Sequence, residues 1–324
     1  MDASVVIPTK NGGDRFIDVL AMVTAQVTSF DYEVICVDSG SSDQTVDVIK
    51  AFPKAKLYQI PAEDFGHGKT RTWAAGKCSG KYIVFITQDA LPTSVLWLQN
   101  FVDAMKEFPE AIAGFGAHVP YPECNYFDAR DISGLFESYG NKNKVIQVDD
   151  LDRFKVDMVY RMGFAFFSDN NACVRRDLFL EDPYPDVSFA EDQFWMLKKM
   201  GEGYKKVYAP AAAVFHSHNY NLIELLQRAY DEHRALKRLF DWNPVPNGKR
   251  IPLSTLELSR ADWSYIRSLP LSKFEKAENC LYSVFRNGVK LLGAHEGAVY
   301  DDVSPNRQRR MDILFSQYLR ELKR

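Results

Sequence analysis

The sequence predicts an α/β fold in which a parallel sheet carries helices on both faces and is followed by a helical C-terminal region. Short β-branched runs alternate with helical patterns through the first half of the chain, and the connections between them are short. That order is typical of a parallel sheet covered on both faces. From Asn221 onward, apolar residues recur at helical spacing. A composition of 46% hydrophobic and 26% charged residues is that of a globular chain with a substantial core.

The N-terminal part alternates four predicted strands with three predicted helices. Each strand is a short run of mostly apolar or β-branched residues, and the first helix repeats apolar residues every three or four positions. Ser41, Ser42 and Asp43 are good capping residues for the second helix. In chain order the elements are strand Ala3–Pro8, helix Arg15–Thr28, strand Tyr32–Val37, helix Gln44–Phe52, strand Ala55–Ile60, helix Gly68–Lys77 and strand Lys81–Thr87.

The rest of the chain has fewer strands and more helices. Residues 120–160 are polar and aromatic with little periodicity, and they predict a long loop or short helices. We expect a domain at 1–220 and a helical region at 221–324. The predicted elements are helix Leu96–Phe108, strands Ile112–Val119, Phe164–Phe167 and Ala172–Val174, helix Ala190–Met200, strand Lys206–Val214, helix Leu222–Phe240, a Pro/Gly-rich linker Asn243–Pro252, and helices Phe274–Leu292 and Met311–Leu322.

Charge and cysteine content exclude several classes of protein. A net charge of −3 argues against a general nucleic-acid binder, which should be clearly basic. The five cysteines lie far apart without a CxxC pair, so a disulfide framework or zinc site is not expected, and the sequence indicates a reducing, cytoplasmic compartment. Cys36, inside an apolar run, is expected in the core. Neither a signal peptide nor a membrane-spanning helix is predicted, so any membrane contact should be peripheral.

Polar turns follow the first two predicted strands. Pro8-Thr9-Lys10 ends the first strand, and Asp38-Ser39-Gly40-Ser41 ends the second. In parallel sheets, ligands bind at the carboxyl ends of the strands. A turn of hydroxyls and glycine before a helix N-terminus can bind a base, ribose or phosphate. Each turn alone is as consistent with a plain strand–helix connection, but two at neighbouring strand ends favour a nucleotide site.

Three later segments carry acids or histidines. Asp89 follows a buried strand, where one carboxylate together with a diphosphate can hold Mg²⁺ or Mn²⁺. Glu191 and Asp192 begin a predicted helix and can supply a general base. His216 and His218 follow the last strand and can ligate a metal. The competing interpretations are a helix cap or turn for Asp89, charge bias at a helix start for the acids, and surface histidines.

The segment Gly66-His67-Gly68-Lys69-Thr70 is similar to the end of a phosphate-binding P-loop. The full pattern requires a glycine at position 63, where this chain has Glu63. We therefore exclude an ATPase or kinase of that type. A GxGxxG dinucleotide fingerprint after the first strand is also absent from the sequence.

Taken in order, these segments resemble inverting family-2 glycosyltransferases of the GT-A fold. The resemblance covers residues 3–220 and is most specific for bacterial rhamnosyltransferases of O-antigen or capsule-type polysaccharides in the stretches FGHGKTR and TQDALP. The segments that carry it are Val5–Gly12, Val37–Thr45, Phe65–Ala75, Phe85–Pro92, Gly163–Leu178, Phe189–Trp195 and Val214–Tyr220.

The resemblance implies roles for particular residues. The family's Asp-x-Asp metal motif falls on Thr87-Gln88-Asp89, so its first acid is missing and the metal, Mg²⁺ or Mn²⁺, depends on Asp89, with His216 and then His218 as further ligands. The catalytic base falls on Asp192, beside Glu191. Asp169 and Asn171 are further candidates for contact with donor or acceptor. The implied nucleotide-sugar-binding residues are Pro8, Thr9, Lys10, Asp38, Ser39, Gly66, His67, Lys69, Arg71, Gln88 and Asp89.

The resemblance also implies the partners. The donor is a nucleotide diphosphate sugar, expected to be dTDP-rhamnose, and the acceptor is a glycan, expected to be linked to polyprenyl diphosphate at the inner face of the cell membrane. Basic residues near 234–238 and 307–310 predict membrane contact, a homodimer interface or simply a solvated helix face. Three alternatives remain open: nucleotidyl transfer, another nucleotide sugar as donor, and nucleotide-sugar binding without transfer.

Overall fold

The computed structural model describes residues 1–187 and 189–316. Its contacts divide the chain into two compact units. Among the described residues, the first unit comprises Met1–Cys124 and Asp128–Ser217, and the second comprises Asn125–Phe127 and residues 218–316. The first unit contains the mixed α/β part of the chain, and the second is helical.

The first unit is built around one mixed sheet in the described part of the chain. The strands are β1 (Ala3–Thr9), β2 (Tyr32–Asp38), β3 (Ala55–Gln59), β4 (Tyr82–Ile86), β5 (Leu91–Pro92), β6 (Ala111–Val119), β7 (Lys144–Ile146), β8 (Asn171–Arg175) and β9 (Lys205–Phe215). The strand order is β3-β2-β1-β4-β8-β6-β9-β5, with β7 paired to β9. Strands β1 to β4 are parallel, whereas β8 runs antiparallel to both β4 and β6.

Thirteen helices of the described residues accompany the sheet. They are α1 (Gly13–Thr24), α2 (Thr45–Ala51), α3 (His67–Ala75), α4 (Trp97–Glu107), α5 (Tyr126–Tyr139), α6 (Leu151–Val156), α7 (Met158–Met162), α8 (Arg176–Glu181), α9 (Glu191–Gly201), α10 (Leu222–Phe240), α11 (Ile251–Ser268), α12 (Lys273–Ala298) and α13 (Pro305–Phe315).

The apolar runs of the sequence become the core of the sheet, as predicted. Strands β2 and β4 are buried throughout, and Cys36 has no exposed surface. Helix α1 turns Phe16, Val19 and Leu20 inward at the spacing that the sequence indicates. The predicted α/β class and sheet are therefore confirmed, with the difference that the second half of the sheet is mixed rather than parallel.

Several predicted elements are wrong. Phe164–Phe167 is not a strand, because the buried ammonium of Lys206 takes the carbonyls of Phe164 and Phe166 at 2.7 Å each. The linker predicted at 243–252 gives way to α11 at Ile251, since Pro252 fits the first turn of a helix. Helices α5 and α8 were not predicted individually. The predicted helix Met311–Leu322 falls partly on residues outside the described part; α13 ends at Phe315.

In the second unit, α10 and α12 pack with their backbones close together. A Cβ on Gly293 would lie 2.3 Å from the carbonyl oxygen of Leu226, and one on Gly297 would lie 2.2 Å from that of Tyr230. Both helices begin with a capping box, Asn221 with Glu224 in α10 and Ser272 with Glu275 in α12.

Several of the basic residues of the second unit that the sequence singled out form ion pairs. Arg234 lies 3.2 Å from Asp312, Arg238 lies 3.0 Å from Asp301, and Arg307 lies 3.0 Å from Glu296. These pairs offset much of the positive charge that a basic membrane-binding face would need. Among the described helices, none combines the length and the apolarity that a membrane crossing requires.

Candidate active site

The carboxyl ends of β1 and β2 meet in register, with Thr9 opposite Asp38. The Thr9 hydroxyl donates to Asp38 at 3.3 Å, and the Ser39 backbone N–H donates to the Thr9 carbonyl at 3.0 Å. The other Asp38 oxygen accepts the backbone N–H groups of Gly40 and Ser41 at 3.1 and 3.0 Å, and the Ser41 hydroxyl also bonds to the carboxylate. Asp38 is fully buried. The turn after β2 is therefore ordered around one carboxylate.

Gln88 joins the ends of β1 and β4. Its amide oxygen accepts the Lys10 backbone N–H at 2.9 Å, and its amide nitrogen donates to the Lys10 carbonyl at 3.0 Å. Pro8 lies on β1, is half-buried and pairs with Val37 of β2. The carboxyl ends of neighbouring strands thus bring together five residues that were predicted at the nucleotide site: Thr9, Lys10, Asp38, Ser39 and Gln88.

Helix α3 carries the segment Gly66 to Arg71. Gly66 is the N-terminal cap residue, and its backbone N–H donates to Thr70 at 3.3 Å. The His67 ring packs edge-on against Phe65, 5.1 Å between centroids, and the exposed Lys69 ammonium lies 3.5 Å from Asp64. Lys69 is therefore at the surface, whereas Arg71 points into the interior.

Asp89 and His216 approach each other in the first unit. A carboxylate oxygen of Asp89 lies 3.7 Å from His216 Nε2, and the side chains are 31% and 11% exposed. The Tyr121 hydroxyl donates to the Asp89 carbonyl at 3.0 Å, and the Asn170 amide nitrogen lies 3.5 Å from His216 Nδ1. An oxygen and an imidazole nitrogen that converge in this way can ligate Mg²⁺ or Mn²⁺.

Two further predicted features lie next to this pair in the sequence. Thr87 stands where the family motif has its first acid, and its hydroxyl oxygen is buried without a hydrogen-bond partner among the described residues. This hydroxyl lies two residues before Asp89 and can still form a hydrogen bond. We therefore expect the ligand of this region to be polar rather than apolar. His218 is two residues beyond His216 and belongs to the second unit, where its ring stacks on Tyr220 at 4.9 Å.

Glu191 and Asp192 begin α9 but have different surroundings. Ala190, just before them, has a φ of 61°, a left-handed conformation unusual for alanine. Asp192 is half-buried, and its two oxygens accept the backbone N–H groups of Asp169 at 3.0 Å and Gln193 at 2.7 Å. Glu191 is only 6% exposed. Asp192 is thus the member of the pair that is nearer to solvent.

Arg71 is buried among acids. Its Nε lies 3.2 Å from an Asp169 oxygen and its Nη1 lies 3.4 Å from Glu191, and Nη1 also donates to the His67 carbonyl at 3.1 Å. The Tyr184 hydroxyl donates to the other Asp169 oxygen at 2.5 Å. We refer to Arg71, Asp169, Tyr184 and Glu191 as the buried cluster.

The electrostatics of the buried cluster are dominated by burial and by like charge. Burial, followed by the neighbouring Asp192, raises the pKa of Asp169 and of Glu191. Burial disfavours the charge on Arg71, but the carboxylates of Asp169 and Glu191 outweigh it and raise the pKa of the guanidinium. The buried cluster thus places one guanidinium beside two carboxyl groups whose raised pKa values disfavour their both being charged.

Gly68 allows α3 to approach the start of α9. A Cβ at this position would lie 2.9 Å from the Pro185 carbonyl oxygen and 3.2 Å from Cβ and Cγ of Glu191. Because Gly68 and Arg71 are on α3, the same FGHGKTR segment supplies the close contact and the charge that meet Glu191.

Sequence reasoning missed Tyr184 and His118, and it predicted a ligand contact for Asn171 that the burial of this residue argues against. Tyr184 lies between predicted elements, and no sequence signal links it to Asp169. Asn171, a predicted ligand contact, is fully buried: it accepts from Trp97 at 2.9 Å and donates to the Ala212 carbonyl at 2.8 Å, so it holds the sheet together. His118 on β6 also escaped notice, although its ring lies 5.3 Å from that of His216 and borders an open cavity of about 510 Å³.

This arrangement of strand ends, with an acid and a histidine beside them and an acidic helix start, is that of a glycosyltransferase of the GT-A fold. The family model described as glycosyl transferase family 2 matches residues 4–179, which is more than half of the chain. The chain belongs to glycosyltransferase family 2.

Curated relatives and solved structures agree with this assignment. The chain is 32% identical over 236 residues, 71% of each sequence, to the O-antigen chain rhamnosyltransferase RfbN of Salmonella typhimurium strain LT2. It is 26% identical to WbaN of Salmonella anatum, over 70% of each sequence. Its fold is similar to that of Staphylococcus aureus TarS 1-349 in complex with UDP-GlcNAc, with a TM-score of 0.54 and 14% identity over 93% of this chain and 92% of that one.

A second solved structure shows the same fold. The mannosyltransferase PcManGT of Pyrobaculum calidifontis, in complex with GDP-Man and Mn²⁺, aligns with a TM-score of 0.51 and 16% identity over 99% of this chain and 83% of that one. The relatives and the family model together establish a glycosyltransferase of polysaccharide synthesis.

Proposed function

We propose that the protein is an inverting rhamnosyltransferase that moves L-rhamnose from dTDP-rhamnose to a hydroxyl of a glycan acceptor. The two relatives named as O-antigen chain rhamnosyltransferases support the sugar. The ordered turns after β1, β2 and β4 support a nucleotide-sugar donor, since ligands of open α/β sheets bind at the carboxyl ends of strands.

The observation that carries the proposal is the fixed orientation of Asp192. Both of its oxygens accept backbone N–H groups, and its side chain is half-buried rather than enclosed. In the proposed reaction Asp192 accepts the proton of the acceptor hydroxyl, whose oxygen attacks the anomeric carbon as the bond to the diphosphate breaks. Direct displacement inverts the anomeric centre. Glu191, which pairs with Arg71, has a supporting role in this scheme.

We further propose that Asp89 and His216 hold a divalent cation, with His218 as a third ligand on the basis of its spacing. Their carboxylate oxygen and imidazole nitrogen fit Mg²⁺ or Mn²⁺, and the unpartnered Thr87 hydroxyl lies in the same segment. If the Asn170 amide turns its oxygen to His216 Nδ1, that nitrogen carries the proton and Nε2 is left to act as a ligand. When bound, the cation would offset charge on the leaving diphosphate.

Lysine residues complete the proposed donor site. Lys10 follows β1, and Lys69 is exposed at the start of α3, so either ammonium can reach an anionic ligand. Arg71 was predicted to share this role; its burial beside Asp169 and Glu191 favours a role in holding these acids. We propose a polyprenyl-diphosphate-linked glycan as acceptor, with transfer at the inner face of the membrane.

A donor screen tests the proposal directly. Purified protein with Mn²⁺ or Mg²⁺ is titrated with dTDP-rhamnose and with a panel of UDP- and GDP-sugars, and binding is measured by calorimetry. We expect dTDP-rhamnose to bind most tightly, and the proposal is wrong if no nucleotide sugar binds.

The Asp192→Asn variant tests the base. We expect donor affinity to stay within about twofold of that of the unaltered protein while transfer falls by at least about a hundredfold. Transfer is followed by release of the nucleotide diphosphate with a lipid-linked glycan acceptor. Asp186→Asn, an acid of the same region outside the contacts of Asp192, is the matched control and should keep full activity.

A further inference from the structure

A continuous set of contacts connects α3 to Asp192 through Asp169. The Arg71 guanidinium lies 3.2 Å from one Asp169 oxygen, and the Tyr184 hydroxyl donates to the other at 2.5 Å. The Asp169 backbone N–H then donates to Asp192 at 3.0 Å. One Asp169 oxygen therefore accepts a hydrogen bond from Tyr184, and the other lies at ion-pair distance from Arg71 without a hydrogen bond, while the Asp169 backbone N–H donates to the proposed base.

The burial of these groups makes the connection rigid. Arg71 and Asp169 are each 3% exposed and Tyr184 is 6% exposed. Three aromatic rings pack around Tyr184, with centroids at 4.7 Å for Phe179, 5.6 Å for Trp195 and 5.7 Å for Phe85. A charge pair in such surroundings is screened little by solvent, and removing one partner leaves the other buried and unpaired.

The segment that ends at Asp169 is also held from the other side. Lys206 on β9 donates to the carbonyls of Phe164 and Phe166, which precede Asp169 by a few residues. Buried contacts thus fix the position of the Asp169 backbone N–H in two ways. Arg71 and Tyr184 contact the Asp169 side chain, and Lys206 binds the carbonyls of the residues that precede it.

We propose that Asp169 is a positioning residue for sugar transfer: clamped by Arg71 and Tyr184, it orients the Asp192 carboxylate toward the acceptor hydroxyl. This inference rests on the proposed function, in which Asp192 is the base. The clamp assigns a role to the arginine of the FGHGKTR segment that does not require contact with the donor. Displacing a catalytic base by about 1 Å can lower the rate on the order of a hundredfold, so the rate of transfer should depend on this orientation.

The test is a set of variants assayed for transfer, donor affinity and thermal stability. Asp169→Ala removes the contacts with Arg71 and Tyr184, and Tyr184→Phe removes only one hydrogen bond. We expect kcat to fall about 10- to 100-fold in Asp169→Ala and several-fold in Tyr184→Phe, while the donor Kd stays within about twofold. If Asp169→Ala fails to fold, Tyr184→Phe provides the same comparison on an intact backbone.

A double-mutant cycle separates positioning from a general structural role. In Asp192→Glu we expect the longer side chain to displace the carboxylate from the Asp169 N–H and to leave a low but measurable rate of transfer. If Asp169 acts through Asp192, adding Asp169→Ala to this background should lower kcat by no more than about threefold. An equal loss in both backgrounds would overturn the inference.

Asp182→Asn is the matched control. Asp182 also attaches to α9, through Lys198 at 2.7 Å and Lys199 at 2.6 Å, but at the far end of the helix from Asp192. We expect its kcat to be unchanged; a loss as large as that in Asp169→Ala would mean that any loosening of α9 suffices. If no donor binds, or if Asp192→Asn keeps its activity, the proposed function itself is wrong. If Asp192→Asn is inactive but the effects of Asp169→Ala and Asp192→Glu on kcat simply add, only the positioning role is rejected.

Discussion

The backbone of Lys10 and the side-chain amide of Gln88 exchange two hydrogen bonds, at 2.9 and 3.0 Å. This pair joins β1 to the residues after β4 where family 2 enzymes carry their metal motif. The Gln88 side-chain amide therefore pairs with the Lys10 backbone as a neighbouring peptide group would. It connects the two strand ends at which we expect the donor to bind.

Gln88→Leu should loosen this connection. It leaves the Lys10 N–H and carbonyl without these partners, and each lost bond is worth about 0.5–1.5 kcal/mol. We expect the donor Kd to rise roughly tenfold, measured by calorimetry. Gln99→Leu, which removes hydrogen bonds to Ser29 elsewhere on the surface, should leave the Kd unchanged. Equal affinities for the Gln88 and Gln99 variants would contradict a role of this pair at the donor site.

The pair Asp89 and His216 predicts metal-dependent binding of the leaving group. Asp89→Ala and His216→Ala should each abolish most of the gain in dTDP affinity that Mn²⁺ produces, because each removes one proposed ligand. The measurement is dTDP binding with and without Mn²⁺. His233→Ala, a histidine of α10 that bonds to the Ala229 carbonyl, serves as control. Transfer that persists unchanged in EDTA would reject the metal.

Lys206 predicts a pH-dependent stability. Burial lowers the pKa of its ammonium from 10.5 to about 7. Between these values the unfolded chain binds one more proton than the folded chain, so this group makes stability rise with pH, by up to about 1.4 kcal/mol per pH unit. The difference in unfolding free energy between the unaltered protein and Lys206→Met should therefore shift in favour of the unaltered protein from pH 7 to pH 9. The prediction is wrong if the difference between the urea unfolding midpoints of the two proteins stays the same from pH 7 to pH 9.

Glu33 predicts stability that is lost in acid. Burial alone would raise its pKa, but bonds from Lys56, Ser79 and Ser4 outweigh burial and lower the pKa to about 2. The folded pKa lies below the unfolded one, so the stabilisation is present above about pH 4.5 and disappears as the pH falls toward 2. Glu33→Gln should cost about 3 kcal/mol at pH 7, as measured by urea unfolding, and much less at pH 3. A cost that does not depend on pH would assign the effect to packing.

The first half of the fold could be predicted because its local and long-range signals agree. Strands such as Tyr32–Asp38 are mostly apolar and are buried throughout, as expected for a parallel sheet that is covered on both faces. Phe164–Phe167 has the same apolar character but is not a strand, since a lysine distant in sequence takes its carbonyls. Helix α11 was missed because Pro252 and Gly248 suggest a linker, although proline is well suited to a first helical turn.

For the site, residue identities were more predictable than their partners. Asp38, Asp89 and Asp192 stand at element ends, where the sequence pattern directs attention to them. The burial of Arg71 and its pairing with Asp169 depend on how α3 packs against α9, which spacing along the chain does not encode. Tyr184 has no periodic neighbours to identify it, so its contact with Asp169 required the three-dimensional structure.

The turn after β2 has a consequence for the thermodynamics of ligand binding. Asp38 already accepts the Thr9 and Ser41 hydroxyls and the backbone N–H groups of Gly40 and Ser41. The chain thus loses the conformational freedom of this turn during folding rather than on encountering a ligand. Nucleosides that contact the turn should accordingly bind with a small entropy penalty from the protein, and affinity should depend mainly on the groups that the nucleoside itself presents.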